Sequence, residues 1–103
     1  MPNTLPAKFR SAIKKFAENL TENLKDEKME VYLFGSLARG DYLLDSDVDL
    51  IVVTDSLKNM KPWERTAYLR KLAPRSLGFD ILCYTREEFE KAKPFWENLI
   101  KIL

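Results

Sequence analysis

Two aspartates, Asp47 and Asp49, stand one residue apart at the head of the apolar run Leu50-Ile51-Val52-Val53. Side chains alternate along a strand, so both carboxylates face one way, roughly 7 Å apart along the backbone. Like charges so placed repel unless a cation lies between them. Upstream, the apolar run Val31-Tyr32-Leu33-Phe34 ends at Gly35-Ser36. Such a turn offers backbone N–H groups and a hydroxyl, which suit phosphate oxygens. A third carboxylate, Asp80, lies inside the otherwise apolar run Phe79 to Tyr84. A lone ionised aspartate within a sheet is costly unless paired or metal-bound. Cation-holding carboxylates beside a phosphate cradle are the parts of phosphoryl or nucleotidyl transfer.

Each part also has a plainer reading. Most Asp-x-Asp pairs are solvated surface. Asp80 fits an exposed face or a salt bridge to a basic residue, and Arg39 fits as a surface arginine. If the strand of Asp80 lies beside that of Asp49, the three carboxylates converge on one patch, which suits two Mg²⁺ ions about 3.5–4 Å apart. Two look-alikes fall away. Gly35 and Gly40 have the glycine spacing of a P-loop, but Asp41 and Tyr42 stand where lysine and serine or threonine belong. Asp45, Asp47 and Asp49 imitate the opening of an EF-hand, but Leu50 and Ser56 replace its glycine and closing glutamate.

The elements that must position these residues follow from periodicity. Met1 to Thr4 reads as a loose lead-in. Pro6 suits the first turn of a helix in which Phe9, Ile13, Phe16, Leu20 and Leu24 recur on one face, ending near Leu24 or Lys25. Met29 to Phe34 is a strand apolar on both faces, and therefore central. A short helix is expected with Ser36 as its N-cap and Gly40 as its end. Asp47 to Val53 is the second strand. Its short connection to the first predicts antiparallel pairing in a mixed sheet. Thr54 to Lys61 shows no strong pattern. Pro62 opens a helix with Trp63, Ala67 and Leu72 on one side, ending before Pro74. Phe79 to Tyr84 is a third strand, with Asp80, Leu82 and Tyr84 sharing a face. Thr85-Arg86-Glu87-Glu88 fits a capping box. Pro94 interrupts the helix it begins. A last helix is expected to carry Phe95, Trp96, Leu99, Ile100, Ile102 and Leu103, an apolar tail that suits core packing better than docking. The fold class is α/β (α+β): a small mixed sheet of three or more strands flanked by helices.

Composition sets the frame. A chain of 103 residues, 46% hydrophobic and 12% aromatic, reads as one folded domain over residues 1–103. The formal charge of +1 gives no case for a nucleic-acid coat or an anionic membrane. The single cysteine, Cys83, reads as a buried structural thiol. With no histidine, a histidine base and the usual zinc sets are excluded. No signal peptide or membrane span is evident, so the expected location is cytoplasmic.

The pattern Gly35-Ser36, ten residues, Asp47-x-Asp49 and a later in-strand Asp80 resembles the nucleotidyltransferase superfamily of DNA polymerase β. Within it, the short length and Gly35-Ser36-Leu37-Ala38-Arg39-Gly40 are similar to the minimal nucleotidyltransferases (MNT). The resemblance spans Val31 to Asp80. It implies that Asp47 and Asp49 hold two Mg²⁺ ions, and that Asp80 helps hold the catalytic one and takes the acceptor's proton. It implies that Gly35, Ser36 and nearby N–H groups bind the β- and γ-phosphates of ATP, with Arg39 adding charge. Larger relatives carry a second domain for the acceptor, for which this chain has no room, so the acceptor is expected on another protein. MNT proteins are commonly antitoxins paired with HEPN-type ribonuclease toxins, and some transfer AMP to a toxin tyrosine. A non-catalytic antitoxin acting by contact, and an enzyme modifying a small molecule such as an aminoglycoside, stand as alternatives. No membrane and no direct nucleic-acid partner are expected.

Overall fold

The apolar stripe of Phe9, Ala12, Ile13, Phe16 and Leu20 forces the first described segment into a helix with one buried face. The computed structural model describes residues 5–103, so the expected lead-in at Met1–Thr4 lies outside it. Helix α1 runs Ala7–Leu24 and closes at Lys25 in the left-handed conformation, φ 51°. Strand β1 (Glu30–Phe34), helix α2 (Gly35–Arg39), strand β2 (Val48–Val53), helix α3 (Pro62–Arg70), strand β3 (Phe79–Tyr84), helix α4 (Arg86–Ala92) and strand β4 (Ile100–Lys101) follow. Among the described residues, no helix is long and apolar enough to cross a membrane.

The strands form one mixed sheet in the order β3-β2-β1-β4. β1 pairs antiparallel with β2 and β4, as the short first connection predicts, while β2 and β3 run parallel. One face carries Val31, Leu33, Leu50, Val52 and Ile81 against α1 and α3, and this is the main core. The other face carries Tyr32, Ile51 and Val53 under Phe89 of α4, with Phe34, Leu82, Tyr84 and Trp96 only partly covered. By alternation Asp49 and Asp80 belong to this thinly covered second face. The alternation expected along β3 holds: Phe79, Ile81 and Cys83 are buried, Asp80 is exposed. Burial pushes the Cys83 thiol up to about 11.

Two expectations need correction. The last helix does not form. A short 3₁₀ turn that contains Pro94, Lys93–Phe95, gives way to an extended tail. Asn98 redirects the chain at φ 58°, and Ile100–Lys101 fills the open edge of β1. Ile102 N–H donates to the Val31 carbonyl at 2.7 Å, and Val31 N–H to that of Leu103 at 2.9 Å. Pro94 supplies no N–H for a helix, while β1 offers unpaired groups that a strand satisfies. On α3 the buried face is Arg65 and Leu69, whereas Trp63 is 67% exposed.

Arg65 explains that reversal and organises the unpatterned segment before it. Its guanidinium donates to the Leu57 and Met60 carbonyls at 3.1 and 3.0 Å and to the Glu88 carboxylate at 2.7 Å. Glu88 also completes the capping box with Thr85. On the outer edge of β3, the Thr66 hydroxyl donates to the Ile81 carbonyl at 3.2 Å.

At the far end of the sheet, the buried Thr54 hydroxyl donates to the Asp26 carboxylate at 2.6 Å. That bond is the main reason the Asp26 carboxyl sits below its ordinary 3.8. A lowered folded-state value means a contribution present above pH 3.8 and lost as pH falls through the folded value. Thr54→Val is expected to cost about 1 kcal/mol at neutral pH, discounted for partial exposure. The gap from wild type should narrow under acid. Urea denaturation at about pH 7 and about pH 2.5 checks both the size and the sign.

Candidate active site

Because β2 lies between β1 and β3, its first residues collect the ends of two neighbours. In the parallel pairing Asp49 is the register partner of Asp80. Adjacent strands lie about 4.8 Å apart, so these carboxylates stand side by side on one face. In the antiparallel pairing Asp49 is opposite Phe34, and the next residue is Gly35. Gly35 has φ +72°, a conformation that side chains rarely adopt, and a Cβ there would overlap Asp49 Oδ2 and sit 3.0 Å from its Cγ. The missing side chain is the room that the Asp49 carboxylate occupies.

Asp47 is exposed and lies just ahead of β2, on the same side as Asp49 by alternation. Val48 N–H donates to the Gly78 carbonyl at 2.9 Å, which ties this entry to the start of β3. A Cβ on Gly78 would overlap the Asp47 carboxylate. Both aspartates of the pair therefore lean on a glycine.

Ser36 is not the N-cap expected of it. The chain turns sharply at Gly35, so the cap position falls two residues earlier, on Phe34, with no side-chain cap. Ser36 thus lies in the first turn, whose N–H groups receive no side-chain partner from the cap residue. Arg39, in the last turn, is exposed and pairs with Asp41 at 3.2 Å.

Electrostatics reports the same crowding. The Asp49 carboxyl is pushed above its ordinary 3.8, first by burial, then by the negative charges of Asp80 and Asp47; Arg39 pulls the other way. Among the described residues, no three His, Cys, Asp or Glu side chains close around a point where a metal ion would sit. Asp47, Asp49 and Asp80 form an open arrangement rather than a finished cage. The donor set still fits a hard divalent cation. It is all carboxylate oxygen, and the charge that its neighbours disfavour on Asp49 is what a cation relieves. Mg²⁺ suits such a site because it takes one or two carboxylates and completes its shell with water and substrate phosphate.

Two contributors escape sequence reasoning. Gly78 precedes β3 unremarkably, and only the register of β2 and β3 reveals it as the seat of Asp47. Arg70, Lys71 and Arg75 line a pocket with Asp47 at its rim. The available signal was the absence of any acidic residue between Glu64 and Asp80.

Residues 13–103 match the family described as Nucleotidyltransferase domain. A Methanocaldococcus jannaschii protein described as "Putative protein adenylyltransferase MJ0141" is 41% identical over 71 residues, which cover 68% of this chain and 69% of the relative. A second protein of that organism, "Putative protein adenylyltransferase MJ0604", is 43% identical over 44 residues, covering 43% of this chain and 44% of the relative. A crystal structure described as a "putative nucleotidyltransferase" superposes with a TM-score of 0.62 at 23% identity, over 88% of this chain and 97% of the other. Another so described, from Sulfolobus solfataricus, gives 0.56 at 24% identity, over 98% and 90%. At those identities the two structures speak for the fold alone. The family match, by contrast, runs through every strand of the sheet, and on it the chain belongs to the nucleotidyltransferase domain family and is a nucleotidyl-transferring enzyme.

Proposed function

We propose that this enzyme transfers AMP from ATP, with Mg²⁺, to a tyrosine hydroxyl of a partner protein. The partner is a HEPN-type ribonuclease toxin, which the modification silences in the cytoplasm, and residues 1–103 act as one transfer domain. One observation carries the chemistry: Asp49 and Asp80 are register partners on adjacent strands, with Gly35 against Asp49 on the other side. The relatives' description as protein adenylyltransferases supports ATP as donor and a protein as acceptor. The motif's likeness to the MNT proteins supports the toxin.

In this reading Ser36 and the N–H groups of the Gly35–Arg39 turn hold the β- and γ-phosphates, with Arg39 adding positive charge. Asp47 and Asp49 would hold two Mg²⁺ ions and Asp80 one of them. Bound there, the ions would neutralise charge on the attacking and leaving oxygens. The acceptor oxygen attacks the α-phosphorus, and the Asp80 carboxylate takes its proton. The bond from the α-phosphorus to the bridging oxygen breaks, and its electron pair leaves with pyrophosphate. The product is a tyrosyl phosphodiester of AMP.

Incubation with ATP labelled at the α-phosphate, Mg²⁺ and an active HEPN-type ribonuclease tests this. Label should appear on a partner tyrosine, disappear with EDTA, and track loss of ribonuclease activity. Neutralisation without label would mean inhibition by contact. Labelling of a free aminoglycoside by the chain alone would mean a small-molecule enzyme.

A further inference from the structure

The carboxylate centre has two sides. The Gly35-Ser36 turn lies on the β1 side of Asp49. On the β3 side a pocket of about 730 Å³ opens, with Asp47 at its rim and Gly78 and Phe79 at the start of β3. Arg70, Lys71 and Arg75 line it from the end of α3 and the loop that follows.

Among the described residues, no carboxylate forms an ion pair with any of these three cations. A recess of about 520 Å³ at the other end of β1 makes the contrast. There Lys101 pairs with Glu30 at 3.0 Å, and Arg86 donates to the Lys28 carbonyl at 2.7 Å. At that recess one cation is held by a carboxylate and another by a main-chain carbonyl, whereas the three beside Asp47 are exposed. Like charges gathered around one pocket repel one another, so packing gives no reason for the cluster.

Displacement at phosphorus supplies a direction. The attacking oxygen must arrive opposite the leaving group. With pyrophosphate leaving at the Gly35-Ser36 turn, as in the proposed function on which this inference rests, the acceptor enters over β3. The pocket of Arg70, Lys71 and Arg75, which shares Asp47 with the carboxylate centre, opens at that end of β3. A segment bearing carboxylates would be repelled by Asp47, Asp49 and Asp80 unless nearby cations offset them, and these three stand at the right place. The relatives' names favour a protein over a nucleic acid.

We infer that the pocket of Arg70, Lys71 and Arg75 beside Asp47 docks the acceptor, and that it selects a protein segment with acidic residues flanking the accepting tyrosine. The probes are two dye-labelled peptides of equal length with one central tyrosine, flanked by glutamates in one and by lysines in the other. Anisotropy with the full chain, Mg²⁺ and a non-hydrolysable ATP analogue reads binding; α-labelled ATP reads transfer. The acidic peptide should bind at least tenfold more tightly than the basic one. The variant Arg70→Glu/Lys71→Glu/Arg75→Glu should abolish or reverse that preference. If it fails to fold by circular dichroism, Arg70→Ala/Arg75→Ala should still weaken acidic-peptide binding at least fivefold.

Equal binding of both peptides, or variants as tight as wild type, overturns the inference. So does a parallel loss of affinity for a fluorescent ATP analogue, since the cations would then serve the triphosphate. Tighter binding of a single-stranded oligonucleotide than of the acidic peptide overturns it too. A preference for the acidic peptide with no transfer to any peptide or partner keeps the pocket and removes protein modification. Transfer to both peptides alike does the reverse.

Discussion

Replacing Asp47 and Asp49 together by asparagine is expected to lower nucleotidyl transfer at least about a thousandfold, or about 4 kcal/mol of transition-state stabilisation. The change is nearly isosteric and removes two of the three carboxylates around the start of β2. Charge builds on the attacking and leaving oxygens during the displacement, and the ions held by this pair would offset it. The fold should not suffer. Burial, and after it the charges of Asp80 and Asp47, raise the cost of ionising Asp49. Thermal unfolding of the metal-free variant is therefore expected at or above the wild-type midpoint. Transfer within tenfold of wild type would remove both residues from the chemistry. A stability loss above about 2 kcal/mol would instead make the pair part of a structural network.

Gly35→Ala is expected to cost about 2 kcal/mol of stability and about a hundredfold in transfer. Two effects add. The backbone at φ +72° strains any side chain, and the new Cβ would occupy the place of the Asp49 carboxylate. The aspartate must then leave its place beside Gly35, and displacement by about 1 Å near a reacting centre is worth about a hundredfold. Gly40→Ala separates the two effects. Gly40 also has positive φ, +89°, but a Cβ there would meet nothing within 4 Å, so the change should cost strain alone and leave transfer near wild type. Urea denaturation and transfer assays on both variants check this. Equal activity loss in the two would place the effect in the backbone rather than in the crowding of Asp49.

What could be read from the chain was what local chemistry determines. The strict alternation of Phe79 to Tyr84 exposes Asp80 and buries its neighbours, and the structure keeps that pattern. Thr85 and Glu88 cap α4 as their spacing requires. The short connection between β1 and β2 leaves them antiparallel. What escaped depends on partners distant in sequence. The tail from Trp96 has a helix-compatible composition, yet the open edge of β1 recruits it as a strand. Arg65 looks like a solvent-facing charge, yet main-chain carbonyls of Leu57 and Met60 converge on it and bury it. Within the candidate site, the spacing of Gly35, Ser36, Asp47 and Asp49 was visible, as was the oddity of Asp80. The adjacency of Asp80 to Asp49 came only from strand order, and the seat of Asp47 on Gly78 only from register.

The two borders of the sheet leave little for another molecule to zip onto. β4 is two residues long and presents an exposed lysine, Lys101. On β3 the outward carbonyl of Ile81 is already taken by Thr66. A second copy would find two residues to pair with at β4 and one acceptor already occupied on β3, and both features work against strand-by-strand polymerisation, a common failure of small sheet proteins.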